Sequence, residues 1–242
     1  MYSNISNKDL ELLTFINEHP CLSSQDISLF FDIKLFTLRT RLRVLCEYKF
    51  ISFLTVSSFK GFKYYFSTKK GNKMIIKASN KFNKFDTSEK KLFLRHIIES
   101  NDFFIHLKKI SLDNGYNFSD WVSDVNTAIL FKYNGSSYKL IPDGYCMFKD
   151  INIYLELDRS TESFFKILRK IEVYSNFYLS MGYKKYFSEF PMVIFIFPDL
   201  KRAKFIQDKV EAYITLKKYK EELNFFYFFD KLDFYKNTEK YL

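Results

Sequence analysis

The sequence is short of several things, and each shortage excludes something. No run of apolar residues reaches the roughly 20 that a helix needs to cross a bilayer. The opening MYSNISNKDLELL lacks the basic-then-apolar order of a secretory leader, so no export signal is expected. Three cysteines, Cys21, Cys46 and Cys146, are odd in number and scattered without metal-ligand spacing; a reducing cytoplasm is the expected compartment. Three histidines, His19, His96 and His106, are too dispersed to form a metal-binding cluster. Among only 6 glycines there is no phosphate-cradling loop, since GNK at 71–73 lacks the required spacing.

What is present points elsewhere. The 242 residues are 47% hydrophobic, enough for one large or two small cores. The 30 Phe and 18 Tyr read as the mark of an AT-rich genome, because Phe, Tyr, Lys, Asn and Ile share AT-rich codons. Net charge is +10 and uneven: residues 1–82 hold 13 Lys and Arg against 6 Asp and Glu, whereas the rest holds 25 against 22. A positive field concentrated in one third of the chain points to an anionic partner, first of all nucleic acid.

The first 82 residues carry helical periodicity in three places. Leu10, Leu13, Phe15 and Ile16 mark a helix capped at Ser6 or Asn7 and stopped by Pro20. SSQDISLFF predicts a second helix, capped at Ser23 or Ser24, with a turn at Asp32–Ile33. In the third, Leu35, Leu38, Leu42 and Leu45 face inward, leaving Lys34, Thr37, Thr40 and Arg41 outward with Arg39 and Arg43 beside them. FISFLTV and FKYYFST around SSFKG then predict a β-hairpin, followed by a short helix in KKGNKMIIKAS. Three helices and a basic hairpin describe a winged helix-turn-helix, whose third helix enters the major groove. Expected DNA contacts are Lys34, Thr37, Thr40, Arg41 and Arg43, with Lys60 and Lys63 reaching phosphate from the wing. Between Ile33 and Phe82 Glu47 is the single acid against twelve bases, whereas a merely solvated surface mixes signs.

SNKFNKFDTSEKK, 79–91, reads as a linker, so the second domain is placed at 83–242. It begins with a long helix ending at Gly115 and continues as strands, a helix from Ser160 to about Leu179, the strand MVIFIF, another helix and a last strand, FFYFFD. The fold class is therefore α/β (α+β): a winged helix followed by a mixed sheet flanked by helices. The FFYFFD run is read as a buried or dimer-edge strand.

IPDGYCMFKDINIYLELDRST, 141–161, reads as a hairpin. With its turn at Lys149–Asp150, Phe148 faces Ile151 and Asp143 faces Glu156. Asp158 shares the face of Glu156. Like charges directly opposite destabilise a sheet. A divalent cation offsets that repulsion, and Mg²⁺ takes one or two carboxylates plus water and phosphate.

This arrangement resembles the core of the PD-(D/E)xK nucleases, a restriction-endonuclease-like fold. Pro142–Asp143 stands for the first motif, and Glu156–Leu157–Asp158 replaces Glu-x-Lys. The resemblance implies a lysine on the following helix; of Lys166 and Lys170, Lys170 is preferred because KIEVY sets it four residues before Tyr174, on one helical face. It further implies catalytic roles for Asp143, Glu156, Asp158 and Lys170, Mg²⁺ held by the three acids, and Arg159 on a phosphate oxygen. Over nearly the whole chain, RHIIESNDFFIHL, WVSD, LIPDGYCMF, YLELDRSTESFFKILRKIEVY and PMVIFIFPDLKRAKFIQ resemble the plasmid replication-relaxation family. That implies a double-stranded-DNA-binding protein of a plasmid or other mobile element, acting in replication or transfer. Two activities are open: a Mg²⁺-dependent nickase or endonuclease, or a non-catalytic initiator or transcriptional regulator. A homodimer reading two half-sites and contacts with replication or transfer proteins are expected; membrane association is not.

Overall fold

The computed structural model describes residues 5–55, 61–79, 94–123, 127–160, 162–216 and 224–242. The chain falls into two compact units, Met1–Lys109 and Ile110–Leu242. The linker expected at 79–91, and with it the boundary at 82–83, falls almost wholly outside the described residues.

The first unit opens with α1 (Asn7–Glu18), β1 (Leu22–Ser23), α2 (Ser24–Phe31) and α3 (Leu35–Glu47). Its helix starts are chemically specified. Ser6 and Asp9 form a reciprocal capping box on α1, and Ser23 and Asp26 repeat it on α2, each satisfying donors that a helix start leaves orphaned. Asp32 takes a left-handed conformation (φ 48°) at the end of α2, making the turn into α3. Leu38, Leu42 and Leu45 of α3 are fully buried with Leu13, Ile16 and Ile27. β2 (Ile51–Thr55) and β3 (Lys63–Ser67) pair antiparallel, and β1 adds to β3, giving a sheet ordered β1-β3-β2. Three helices and this sheet are a winged helix. α4 (Lys69–Ser79) follows, and α5 (Leu94–Asn114) spans the division between the units. Gly71 of α4 has a reason to be glycine: a Cβ there would lie 2.1 Å from the Phe50 carbonyl oxygen.

The second unit is built on a five-stranded sheet. β4 (Phe118–Ser123), β7 (Gly144–Phe148), β8 (Ile151–Leu157), β9 (Met192–Phe197) and β10 (Phe226–Asp230) lie in the order β10-β9-β8-β7-β4. β8, β9 and β10 run parallel, while β7 and β4 are antiparallel to their neighbours. The parallel pairs are joined by α6 (Phe164–Leu179) and α7 (Leu200–Leu216), and right-handed crossovers place both on one face. There Ile167, Ile171, Tyr174 and Phe177 of α6 pack with Tyr154, Val193, Phe195 and Phe197 and with Ala203, Ile206 and Val210 of α7. α8 (Lys231–Tyr241) was not anticipated by the sequence pattern; its Phe234 is fully buried and meets Phe229 of β10. Two expected boundaries move. α6 starts at Phe164 rather than Ser160, with Ser163 at its N-cap. The hairpin expected from 141 has its first strand begin at Gly144: Pro142, which has no N–H for a ladder, falls in the break before β7, and β5 (Ile129–Tyr133) and β6 (Ser136–Leu140) make a separate two-stranded sheet.

The β7–β8 turn is where the sequence places it. Phe148 pairs with Ile151, Cys146 with Ile153 and Gly144 with Leu155. Lys149 and Asp150 both have positive φ, 48° and 63°, as a two-residue hairpin turn matched to strand twist requires. Asn117 braces the turn by accepting from the Lys149 N–H at 3.0 Å and donating to Asp150 at 3.2 Å.

Candidate functional sites: a basic winged helix and a buried acid under α6

In the winged helix the residues expected to meet DNA separate into two groups. Lys34, Thr37 and Arg43 are exposed on α3, as is Arg39, whose Nε lies 3.3 Å from Ser24 Oγ. Thr40 is half-buried and donates to the Phe36 carbonyl at 3.2 Å. Arg43 has only a loose partner, Glu47 at 3.8 Å, and both are well exposed. Lys63 is exposed on the wing with its ammonium 4.2 Å from the centre of the Phe53 ring. Lys60 lies outside the described residues. Arg41 is the correction. Its guanidinium grips both carboxylate oxygens of Asp9, which is buried in α1, with Nε–Oδ1 at 2.8 Å. Burial pushes the Asp9 carboxyl upward, but Arg41 and Ser6 outweigh it and hold the carboxyl below its usual range. Arg41 therefore ties α3 to α1 and is not a free groove contact. The helical pattern put it on the outer face because the pattern carries no record of an acid 32 residues earlier. Phe36 was missed: it is 82% exposed on α3, and its lack of any place in the 35-38-42-45 stripe was the available signal.

In the second unit Asp143, Glu156 and Asp158 share the sheet face covered by α6. Asp143 stands one residue before β7, and its N–H donates to Leu155 O at 2.9 Å. Its Oδ2 accepts from the Leu157 N–H at 2.7 Å, a donor that the end of the β7 ladder leaves without a strand partner. Glu156 is 1% exposed. Tyr174, fully buried on α6, donates to Oε1 at 2.7 Å. The Lys170 ammonium lies 2.8 Å from Oε2 and 3.2 Å from a Glu162 oxygen. Each oxygen of the buried carboxylate therefore has a partner, Oε1 the Tyr174 hydroxyl and Oε2 the Lys170 ammonium. The spacing of Lys170 and Tyr174 thus delivers both to one carboxylate.

The electrostatics follow from that burial. Desolvation lifts the Glu156 carboxyl well above the usual range against the pull of Lys170, and Asp143 adds to the lift. Lys170, which burial alone would discharge, is held charged by Glu156, Asp143 and Glu162. Both groups hold protons more tightly than in water: the pocket is short of positive charge at its floor. Burial also keeps the Tyr174 hydroxyl protonated.

Asp158 does not join them. Its carboxylate is bound by Arg202 of α7, which also donates to the Glu162 carbonyl at 2.6 Å, and its Oδ1 accepts from the Ser160 N–H at 3.1 Å. Among the described residues no cluster of three or more His, Cys, Asp or Glu is arranged to hold a metal ion. The three-acid set is corrected to two. Asp143 and Glu156 still suit Mg²⁺, which takes one or two carboxylates and completes its shell with water and phosphate; the donor set, two carboxylates in register just before β7 and on β8, is the observation that fits. Arg202 was missed because it lies 44 residues after Asp158, and only the β9–α7 crossover brings it back.

A β1-β3-β2 wing behind a basic third helix defines a winged-helix protein. The replication-relaxation family model matches residues 13–193, and the chain belongs to that family. No curated protein matches. Two solved structures are similar in part. FabT of Streptococcus pneumoniae, solved in complex with DNA, is 17% identical; the match covers 47% of this chain and 76% of that one, at a TM-score of 0.31. The transcriptional regulator SlyA is 16% identical over 44% of this chain and 81% of that one, at 0.30. The winged-helix assignment rests on strand order and not on these likenesses. No described helix is long and apolar enough to cross a membrane.

Proposed function

We propose that the chain binds double-stranded DNA of a plasmid or other mobile element through its winged helix and acts in replication or transfer of that element. The observation that carries this reading is the exposed set Lys34, Thr37, Arg39 and Arg43 on α3 beside Lys63 of the wing. Phosphate contacts release counterions, so affinity for origin DNA falls steeply with salt, and each contact removed lowers the slope by about 1. Arg43→Ala is expected to weaken binding and flatten the slope in anisotropy titrations, whereas Arg41→Ala acts through stability. Duplex affinity indifferent to salt in the unmodified protein would overturn the reading. Two copies reading two half-sites, and recruitment of replication or transfer proteins, belong to the same proposal.

The buried acid favours a second reading, Mg²⁺-dependent cleavage of one strand. Asp143 and Glu156 hold the ion, which when bound supplies a polarised phosphodiester and a water of lowered pKa. Lys170 stays charged beside Glu156 and stabilises charge developing on phosphate. Tyr174 fixes the Glu156 rotamer. Asp158 and Arg202 brace the strand end without touching substrate. Supercoiled plasmid nicked by the unmodified protein, and left intact by Asp143→Asn and Glu156→Gln, supports cleavage. If the unmodified protein does not cut and the two variants keep its footprint, the chain is a non-catalytic initiator or regulator.

A further inference from the structure

Beside Glu156 the second unit has a cleft of about 300 Å³, walled by the β5–β6 hairpin on one side and α6 on the other. Its charged lining is Lys139, Lys166, Arg169 and Lys170 against Glu156 and Glu162. Both acids are already engaged by Lys170. Lys139, Lys166 and Arg169 are exposed, and their side chains make no ion pair or hydrogen bond among the described residues. The cleft does not end there. A second hollow of about 530 Å³ shares Lys139 and Arg169 and runs on along α6 to Asn176, between Ser137 of β6 and Tyr213 of α7; its one acid, Glu172, accepts from the Tyr213 hydroxyl at 2.6 Å. From Lys166 to Asn176 this track is roughly 15 Å long at 1.5 Å per helical residue, the length of about four stacked nucleotides.

Apolar surface accompanies the charge. Phe165 is 78% exposed one helical turn before Arg169, and Leu130, cross-strand partner of Lys139, is 75% exposed. Cations that track a backbone beside an exposed aromatic ring are how unpaired strands are held, because only an unpaired base offers its π-face. A duplex satisfies the cations but leaves the ring in water. The hollow near Glu156 is also at the small end of ligand pockets, about 300–1,000 Å³, and admits one nucleotide rather than a base pair.

We propose that the groove between the β5–β6 hairpin and α6 binds single-stranded DNA, its phosphates on Lys139, Lys166 and Arg169 and one base stacked on Phe165. This is a second nucleic-acid site, separate from the winged helix and independent of cleavage.

The test uses the full chain, a fluorescent oligodeoxythymidine about a dozen nucleotides long, and a duplex of equal length. Lys139→Ala/Lys166→Ala/Arg169→Ala is expected to lose at least ~30-fold in single-strand affinity at low salt with unchanged circular dichroism. Phe165→Ala is expected to lose ~10-fold, since stacking contributes about 1–3 kcal/mol per base, with its salt slope retained. Arg39→Ala/Arg43→Ala should leave oligothymidine binding intact while weakening the duplex. The proposal is overturned if oligothymidine does not bind, if its binding follows Arg39 and Arg43 instead, or if the groove variants lose duplex and single strand equally. Duplex binding is measured on the same samples, so failure of the winged-helix reading shows separately.

Discussion

A buried carboxylate in each unit meets a long cation, Asp9 with Arg41 and Glu156 with Lys170, and these two pairs do opposite things. Asp9 is closed in: Arg41 grips both oxygens, and Ser6 donates through its N–H and hydroxyl. Its carboxyl is pulled below the ordinary range. Glu156 is as deeply buried, yet Lys170 divides itself between Glu156 and Glu162 beside a cleft. Its carboxyl is pushed above the ordinary range. A planar fork that takes both oxygens of one carboxylate makes a clip, while a point charge shared between two acids can be redistributed when a ligand arrives.

The largest expected effect comes from removing each cation. Lys170→Met removes the charge that opposes burial of Glu156, so the carboxyl must be buried unpaired or protonated, at a cost of about 3–5 kcal/mol at pH 8. The sign follows from the direction of the shift. A carboxyl whose folded pKa is raised is stabilising below its unfolded value and loses that contribution as pH rises through the folded value. The variant should therefore regain most of its stability by pH 5, where Glu156 takes up a proton. Arg41→Met should cost less, about 2 kcal/mol, because the Arg41 side chain is 39% exposed and partly screened. That loss should recover at lower pH than in Lys170→Met, because Ser6 still donates twice to the Asp9 carboxylate in the variant and opposes the effect of burial. Urea denaturation at pH 5 and pH 8 measures both; equal recovery of the two variants at pH 5 would erase the distinction between clip and site.

His19 sharpens the contrast. It is 7% exposed at the end of α1, and burial pushes its imidazole down to about 3. A base with a depressed folded pKa contributes stability above its unfolded value, near 6.5, that is lost as pH falls toward the folded one. The winged helix should lose about 2 kcal/mol between pH 7 and pH 5, at 1.36 kcal/mol per unit below 6.5. The first unit is thus weakened as pH falls below 6.5 and the second as pH rises from 4.5 to about 7. His19→Phe, which keeps the ring beside Phe15, should flatten the acid limb in a pH series of melting temperatures. An unchanged acid limb in that variant would assign the proton uptake elsewhere.

Legibility in the sequence followed the range of the interaction. The capping boxes, the leucine stripe of α3 and the two-residue turn at Lys149–Asp150 are encoded within a few residues, and each stands where the pattern puts it. The meeting of Lys170 and Tyr174 on Glu156 was legible because a four-residue helical spacing and a hairpin register are both local rules. What escaped was long-range. Asp9 claims Arg41 across 32 residues, and Arg202 claims Asp158 across 44. Each turned an expected ligand or DNA contact into a brace. The break between β6 and β7 escaped differently: AILFKY reads as a strand and is β5, but YKLIPDGYCMF reads as one piece and is divided at Pro142.

The smallest expected effect probes the register that sets Asp143 against Glu156. Lys149 and Asp150 hold left-handed backbone without glycine, which costs roughly 1 kcal/mol at each residue. Asp150→Gly removes the Cβ penalty and gives up an exposed 3.2 Å hydrogen bond from Asn117, so a net gain of about 0.5 kcal/mol is expected. A gain in urea midpoint with unchanged single-strand and duplex affinities would show that the turn sets register and does nothing else. Inserting one glycine between residues 149 and 150 is the complementary change. A one-residue slip turns side chains to the opposite face, so whichever strand yields, Asp143 and Glu156 no longer share one. The winged-helix pH limb should then survive while the second unit's loss of stability between pH 4.5 and 7 disappears. If that loss remained, Glu156 would not be its source, and the contrast between the two carboxylates would need another origin.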